Sequence, residues 1–87
     1  MIVFTTMHDA GYQPLADLTV EQNKRKYCEK HGYPLIVKTD GWTYEKKAIG
    51  FEKVALVREA LAKYPECSWV FFSECDAMIT NFNIKLD

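Results

Sequence analysis

Ser68-Trp69-Val70-Phe71-Phe72-Ser73-Glu74-Cys75-Asp76-Ala77 is an apolar run that ends on two acids separated by one residue. The run reads as a strand that buries its aromatic side chains, since aromatic and β-branched residues favour that setting. Residues i and i+2 of an extended chain project to the same side. On that geometry Glu74 and Asp76 aim at one place, and Cys75 points to the opposite face as a core residue rather than a nucleophile. The carboxyl ends of strands are where open α/β sheets hold their ligands. Two carboxylates so close repel unless a cation stands between them, and a divalent metal carrying a phosphate meets that need. A solvated turn after a strand is the competing reading, and on the acid-x-acid pattern alone the two are about equal.

Working outward, Ile2-Val3-Phe4-Thr5-Thr6 is short, apolar and β-branched, as in a buried strand of a parallel sheet. A polar loop from Met7 to Gln13 follows, then a helix from Leu15 to Lys30 with Pro14 in its first turn and Gly32 as its stop. Val20, Asn23, Tyr27 and His31 fall near one face. Thr19 and Gln22 have capping-box spacing, which offers a later start for the same helix. Pro34 to Thr39 is a second strand, and Asp40 to Lys47 a loop rich in aromatics and charge. Phe51 to Tyr64 is a second helix with the apolar stripe Phe51, Val54, Val57, Leu61 and Tyr64, ended by Pro65. The order β-α-β-α-β predicts a three-stranded parallel sheet with right-handed crossovers, its last strand open to whatever follows.

At 87 residues the chain is at most one small domain with one modest core. Eleven basic against 12 acidic residues leave no basic excess for general nucleic-acid binding. No apolar stretch approaches the roughly 20 residues that cross a bilayer. The amino terminus lacks the pattern of a signal peptide, so the expectation is a cytosolic (cytoplasmic) chain. The three cysteines, Cys28, Cys67 and Cys75, have no metal-site spacing and read as reduced thiols. Gly11 stands alone after the first strand, so neither a dinucleotide fingerprint nor a P-loop is present. Phosphates must then be neutralised another way, and Mg²⁺ or Mn²⁺ on Glu74 and Asp76 has the hard oxygen ligands that suit those ions.

Taken in order, Asn23-Lys24-Arg25-Lys26-Tyr27-Cys28-Glu29-Lys30-His31-Gly32-Tyr33, then Lys53, then Trp69 through Asn81 resemble the galactosyltransferase/mannosyltransferase family of nucleotide-sugar enzymes. Its members include yeast α-1,2-galactosyltransferase, an α-1,6-mannosyltransferase subunit and plant xyloglucan xylosyltransferases. They carry an N-x-x-x-Y-[AC]-x-x-H-G-Y helix end, a lysine in the next helix, and an apolar strand ending in D-x-D-A. The resemblance covers most of the chain. It implies that residues 1–87 are the partial, truncated βαβαβ nucleotide-binding half of a GT-A (Rossmann-like) glycosyltransferase fold, three layers deep with a parallel sheet.

The same resemblance implies a retaining transfer of a hexosyl or pentosyl group from a UDP- or GDP-linked nucleotide diphosphate sugar to a glycan acceptor, with Mn²⁺ as the ion. Asp76 maps to the metal ligand, and Glu74 maps to the acid that reaches the donor and shares the metal site. Glu74 departs from the family, where Asp is usual, and its extra methylene displaces the carboxylate by about 1.5 Å. Thr5, Thr6 and Tyr12 lie where a base or ribose would be held, an assignment that stands beside a reading as ordinary strand-end polar residues. Lys53 is a point charge for the diphosphate or a solvated helix residue. Trp42 and Tyr44 form a sugar-stacking surface or pack over the core. Asn23 braces the adjacent loop, and helix-stop packing accounts for His31 and Tyr33. His8 and Asp9 have no third partner for a metal or hydrolase site.

Family catalytic domains are at least roughly twice as long, and no residue of these 87 is assigned as a catalytic nucleophile. Two other readings stand against transfer. One is an inactive, truncated module that binds a nucleotide or a protein through its open sheet edge. The other is a small Mg²⁺-dependent phosphohydrolase.

Overall fold

The computed structural model describes residues 2–39 and 49–86, with 49–51 by backbone alone. Trp42, Tyr44 and the rest of their loop lie outside the described residues, as does the side chain of Phe51.

Strand β1 (Ile2–Met7) is buried along its whole length because it is the central strand. Parallel partners flank it, β2 (Leu35–Lys38) on one side and β3 (Trp69–Phe72) on the other, giving the order β2-β1-β3. Phe4 pairs with Leu35 and with Phe71, so all three strands are in register across the middle of the sheet. A strand buried on both faces and hydrogen-bonded on both edges needs continuous apolar or small β-branched residues, which Ile2-Val3-Phe4-Thr5-Thr6 supplies.

Asp9 leaves β1 by accepting a hydrogen bond from the Gly11 amide at 2.9 Å, which starts a 3₁₀ turn at Ala10–Tyr12. A continuous helical run follows in three parts: α1 (Gln13–Ala16), a π-helical segment π1 (Asp17–Lys24) and α2 (Arg25–His31). Pro14 sits in the first turn, where its missing N–H costs nothing. Gly32 ends the run at φ 73°, a left-handed geometry that strains any residue bearing a Cβ. The buried positions come in pairs four residues apart, Thr19/Val20, Asn23/Lys24 and Tyr27/Cys28. A four-residue repeat drifts around an ordinary α-helix, and the wider i→i+5 turn of π1 corrects the drift so that one face stays on the sheet.

β1 connects to β2 on one side, and the chain then passes back to β3 on the other. Right-handed crossovers therefore place the two helical layers on opposite faces of the sheet. Tyr27 and Cys28 pack on Phe4, and Ala16 and Val20 pack near Val37, so the run 13–31 covers that face. Helix α3 (Ile49–Lys63) packs on β1 and β3 from the other side. There Lys38 at the end of β2 pairs with Glu52 and Glu59, at 3.9 and 3.6 Å. The reversal of connection direction between β1 and β3 is the topological switch point of the sheet, and its crevice opens at the carboxyl ends of those strands.

Four expectations need correction. The helix does not start at a Thr19 capping box, because Thr19 lies inside π1 and its Oγ1 donates to Leu15 O at 3.1 Å. Among the described side chains of α3 the buried ones are Glu52, Leu56 and Ala60, whereas Val54 and Leu61 of the expected stripe are 49% and 48% exposed. The buried Glu52 carboxylate on this face lies 3.9 Å from the Lys38 ammonium. β3 is an edge strand, so its aromatics are not buried as expected: Trp69 is 71% exposed and Phe71 partly so. Finally, β3 stops at Phe72, and the acids lie on a turn rather than on extended chain.

The corrected α3 face yields a direct test. Leu56→Ala should cost about 2–5 kcal/mol, since Leu56 is fully buried. Leu61→Ala should stay within about 0.5 kcal/mol, as for an ordinary surface change. Urea denaturation of the two variants checks the assignment, and equal midpoints would reverse it.

Candidate functional site

The sheet's switch-point crevice ends at Thr5 and Thr6 of β1 and at the residues after Phe72 of β3. The Ser73 amide donates to Thr5 O at 2.9 Å, extending the pairing one residue beyond β3. The chain then turns: the Ala77 amide donates to Glu74 O at 3.1 Å, closing a four-residue turn with Cys75 and Asp76 at its centre. Cys75 points inward, buried against Ala16 and Val20, with its Sγ 3.8 Å from Thr19 Oγ1. Glu74 and Asp76 are left exposed. The expected opposition of Cys75 to the two acids therefore holds, and a turn produces it.

The two acids have different surroundings. Glu74 is engaged by Lys53, which α3 delivers across the Phe72 ring, its ammonium 5.3 Å from the ring centroid. Lys53 is thereby brought to the same end of the sheet as the acidic turn. No hydrogen bond or ion pair among the described residues engages the Asp76 carboxylate. Asp76 is an exposed hard oxygen donor with no hydrogen bond or ion pair among the described residues, and this donor chemistry fits Mg²⁺ or Mn²⁺, which take one or two protein carboxylates and leave other positions to phosphate and water. Among the described residues no group of three or more His, Cys, Asp or Glu side chains converges as a complete cage.

The first strand contributes differently from expectation. Thr5 and Thr6 are both fully buried. Thr5 Oγ1 donates to Phe71 O at 3.0 Å, stitching β1 to β3, and Thr6 Oγ1 is enclosed without a hydrogen-bond partner among the described residues. Tyr12 is exposed at the end of the 3₁₀ turn that follows β1, and His8 meets Gln13 through Nε2 at 3.0 Å.

Behind the turn stands a row of side chains that the residue-by-residue reading treated as separate. Asn23 holds the backbone of Ile79 at both ends, donating to its carbonyl at 2.9 Å and accepting from its amide at 2.7 Å. Tyr27 Oη donates to Ile84 O, His31 Nε2 to Phe82 O at 2.6 Å, and Lys30 Nζ to Asn83 Oδ1 at 2.7 Å. Tyr33 Oη accepts the Leu86 amide at 3.1 Å. Asn23 braces the loop as expected, but His31 and Tyr33 do more than stop a helix. Together these residues bind the segment 79–86 that follows the acids.

One residue was missed outright. Lys24 is fully buried, and its ammonium donates to the carbonyls of Cys75 and Ala77 at 3.2 and 2.7 Å. Burial pulls its pKa below the usual lysine range, while the nearby Asp76 carboxylate opposes that shift. The available signal was its position four residues after Val20 and four before Cys28, both on the buried face.

The chain resembles α-1,2-galactosyltransferase of Schizosaccharomyces pombe, with 26% identity over 72 residues, 78% of this chain and 19% of that protein. Galactomannan galactosyltransferase 1 of Cyamopsis tetragonoloba is 30% identical over 78 residues, 86% of this chain and 18% of that protein. The chain thus spans about a fifth of the length of these relatives. Among solved structures, a glycosyltransferase involved in the glycosylation of the major capsid of PBCV-1 superposes with a TM-score of 0.83 at 22% identity, covering 98% of this chain and 42% of that one. That likeness shows the fold: the parallel α/β half of a glycosyltransferase of GT-A type. Residues 1–87 also match throughout the family described as galactosyl transferase GMA12/MNN10, and the chain belongs to that family.

Proposed function

We propose that this chain is the donor- and metal-binding amino-terminal part of a glycosyltransferase, which moves a hexosyl or pentosyl group from a UDP- or GDP-linked sugar to a glycan acceptor. The observation that carries this reading is the exposed Asp76 carboxylate on the turn that follows β3, beside the Lys53–Glu74 pair. Family membership and the names of the relatives support the reaction class.

In this reading Asp76 holds Mn²⁺ or Mg²⁺. The bound ion supplies Lewis-acid neutralisation of the nucleotide diphosphate leaving group. Glu74 orients Lys53 at the crevice mouth, where the ammonium serves as a point charge toward the diphosphate. Glu74 is then free to turn toward the donor sugar or the metal when the phosphates take over Lys53. Tyr12, exposed beyond β1, offers a ring face toward the base. Thr5 and Thr6 act indirectly, by fixing the depth and width of the crevice from within the sheet.

Calorimetric titration of the 87-residue chain with UDP and with GDP, each with and without Mn²⁺, tests this. Binding that requires the metal is the expected outcome. A folded chain that binds neither nucleotide under either condition would refute the donor site and leave an interaction module as the reading.

A further inference from the structure

A fully buried lysine on a helix face shared with Thr19, Val20, Asn23, Tyr27 and Cys28 needs a reason, because lysine is almost never completely enclosed unless its charge is compensated. An apolar side chain would fill the same space without desolvating an ammonium. The ammonium instead meets two carbonyls of one short segment, Cys75 O and Ala77 O, and these flank Asp76. Asn23, the preceding residue, takes both backbone groups of Ile79. Two consecutive helix residues thus hold positions 75, 77 and 79 of the opposing chain. Both residues lie in π1 and both are buried.

We propose that Lys24 is the positioning residue of the acidic turn. Its ammonium, converging on the Cys75 and Ala77 carbonyls, fixes the backbone on both sides of Asp76 and so aims that carboxylate at the ligand. Three features pin the turn from inside: the Lys24 bonds, the Glu74–Ala77 hydrogen bond and the buried Cys75 side chain. The Asp76 side chain is the part left outside. Lys24 itself, being enclosed, touches neither metal nor nucleotide. This inference rests on Asp76 being the metal ligand for its functional half, while the hold on the turn stands without any ligand.

The test uses Lys24→Met and Lys24→Arg in the 87-residue chain, with Leu56→Val as a core change remote from the turn. Amide hydrogen exchange at Ala77 reports the turn in the absence of ligand, and UDP titration with Mn²⁺ reports the site. Lys24→Met should accelerate Ala77 exchange and weaken metal-dependent nucleotide binding by about 10–100-fold, the range seen when a residue that orients a metal ligand is lost. Lys24→Arg keeps charge and N–H donors and should lose less, and Leu56→Val should leave metal-dependent affinity unchanged. If Lys24→Met fails to fold, Lys24→Arg decides, with an intermediate loss and faster Ala77 exchange expected. Unaltered Ala77 exchange with unaltered affinity would overturn the proposal, and so would equal losses in both variants with normal exchange, which assigns the effect to packing. A wild-type chain that binds no metal–nucleotide pair would refute the site reading instead, and Ala77 exchange would still decide whether Lys24 holds the turn.

Discussion

Asp76→Asn is expected to remove the metal-dependent part of nucleotide binding while leaving the fold in place. The substitution keeps the shape of the side chain and deletes its charge. Asp76 is exposed, and its carboxylate makes no hydrogen bond or ion pair among the described residues, so the turn loses only the electrostatic support that Asp76 gives Lys24 when the charge goes. The turn stays closed by Glu74 O and the Ala77 amide and held by Lys24. A hard divalent ion, by contrast, loses the one carboxylate of the turn that is not already engaged by a lysine. Residues that merely orient a ligand are worth about 10–100-fold in metal affinity, so removal of the ligand itself should cost about 100-fold or more. Titration with UDP and Mn²⁺ beside the wild-type chain checks the loss, and far-ultraviolet circular dichroism checks the fold. An Asp76→Asn chain that kept full Mn²⁺-dependent binding would move the metal to other residues. Glu74→Gln would then be the informative variant, since it frees Lys53 and removes the other carboxylate together.

Much of this was legible in residue order, and the failures have a common cause. Pro14, Gly32 and the β-branched first strand act locally, so the β-α-β-α-β order and its helix stop follow from short-range chemistry. The burial of Cys75 was also legible, though through the wrong geometry. What escaped the reading were charged residues that face inward. Glu52 interrupts the apolar pattern of α3, so the outward row of Val54 and Leu61 looked like the core face. Lys24 sits in the run Lys24-Arg25-Lys26, which reads as a solvated basic stretch, yet Arg25 turns out to pair with Glu21 on the surface while Lys24 goes inside. In each case the partner is distant in sequence: Lys38 for Glu52, and the carbonyls at 75 and 77 for Lys24. Periodicity cannot reveal a compensation that arrives from another element. The burial of Thr5 and Thr6 was likewise not legible. The end of a central strand is polar in sequence, but here both threonines are fully buried.

Tyr27→Ala should be the most destabilising single change in the chain, and comparison with Tyr27→Phe separates its two roles. The ring is almost wholly buried and meets Phe4, His31, Tyr33 and Phe82 at centroid distances of 6.4, 4.6, 6.0 and 5.7 Å. Truncating such a ring costs about 3–5 kcal/mol. A domain of this size has only about 4–13 kcal/mol in all, at about 0.05–0.15 kcal/mol per residue. Tyr27→Ala should therefore lower the melting temperature by about 12 °C or more, at about 4–8 °C per kcal/mol, or leave the chain largely unfolded. Tyr27→Phe keeps the ring and loses the hydroxyl bond to Ile84 O, a cost of about 1 kcal/mol because that carbonyl belongs to an exposed residue and can turn to water. Thermal denaturation followed by near-ultraviolet circular dichroism reads both. The pair also tests what the helix-end string is for. Asn23, Tyr27, His31 and Tyr33 all bind backbone that follows the acidic turn, so the string and the turn are two sides of one contact rather than separate signatures. Tyr27→Phe should consequently loosen residues 84–86 in hydrogen exchange while leaving Ile79, held by Asn23, protected. Loss of protection at Ile79 in Tyr27→Phe would mean that the tail releases as one unit. The position of Asp76 would then depend on the whole clamp and not on its first residues alone.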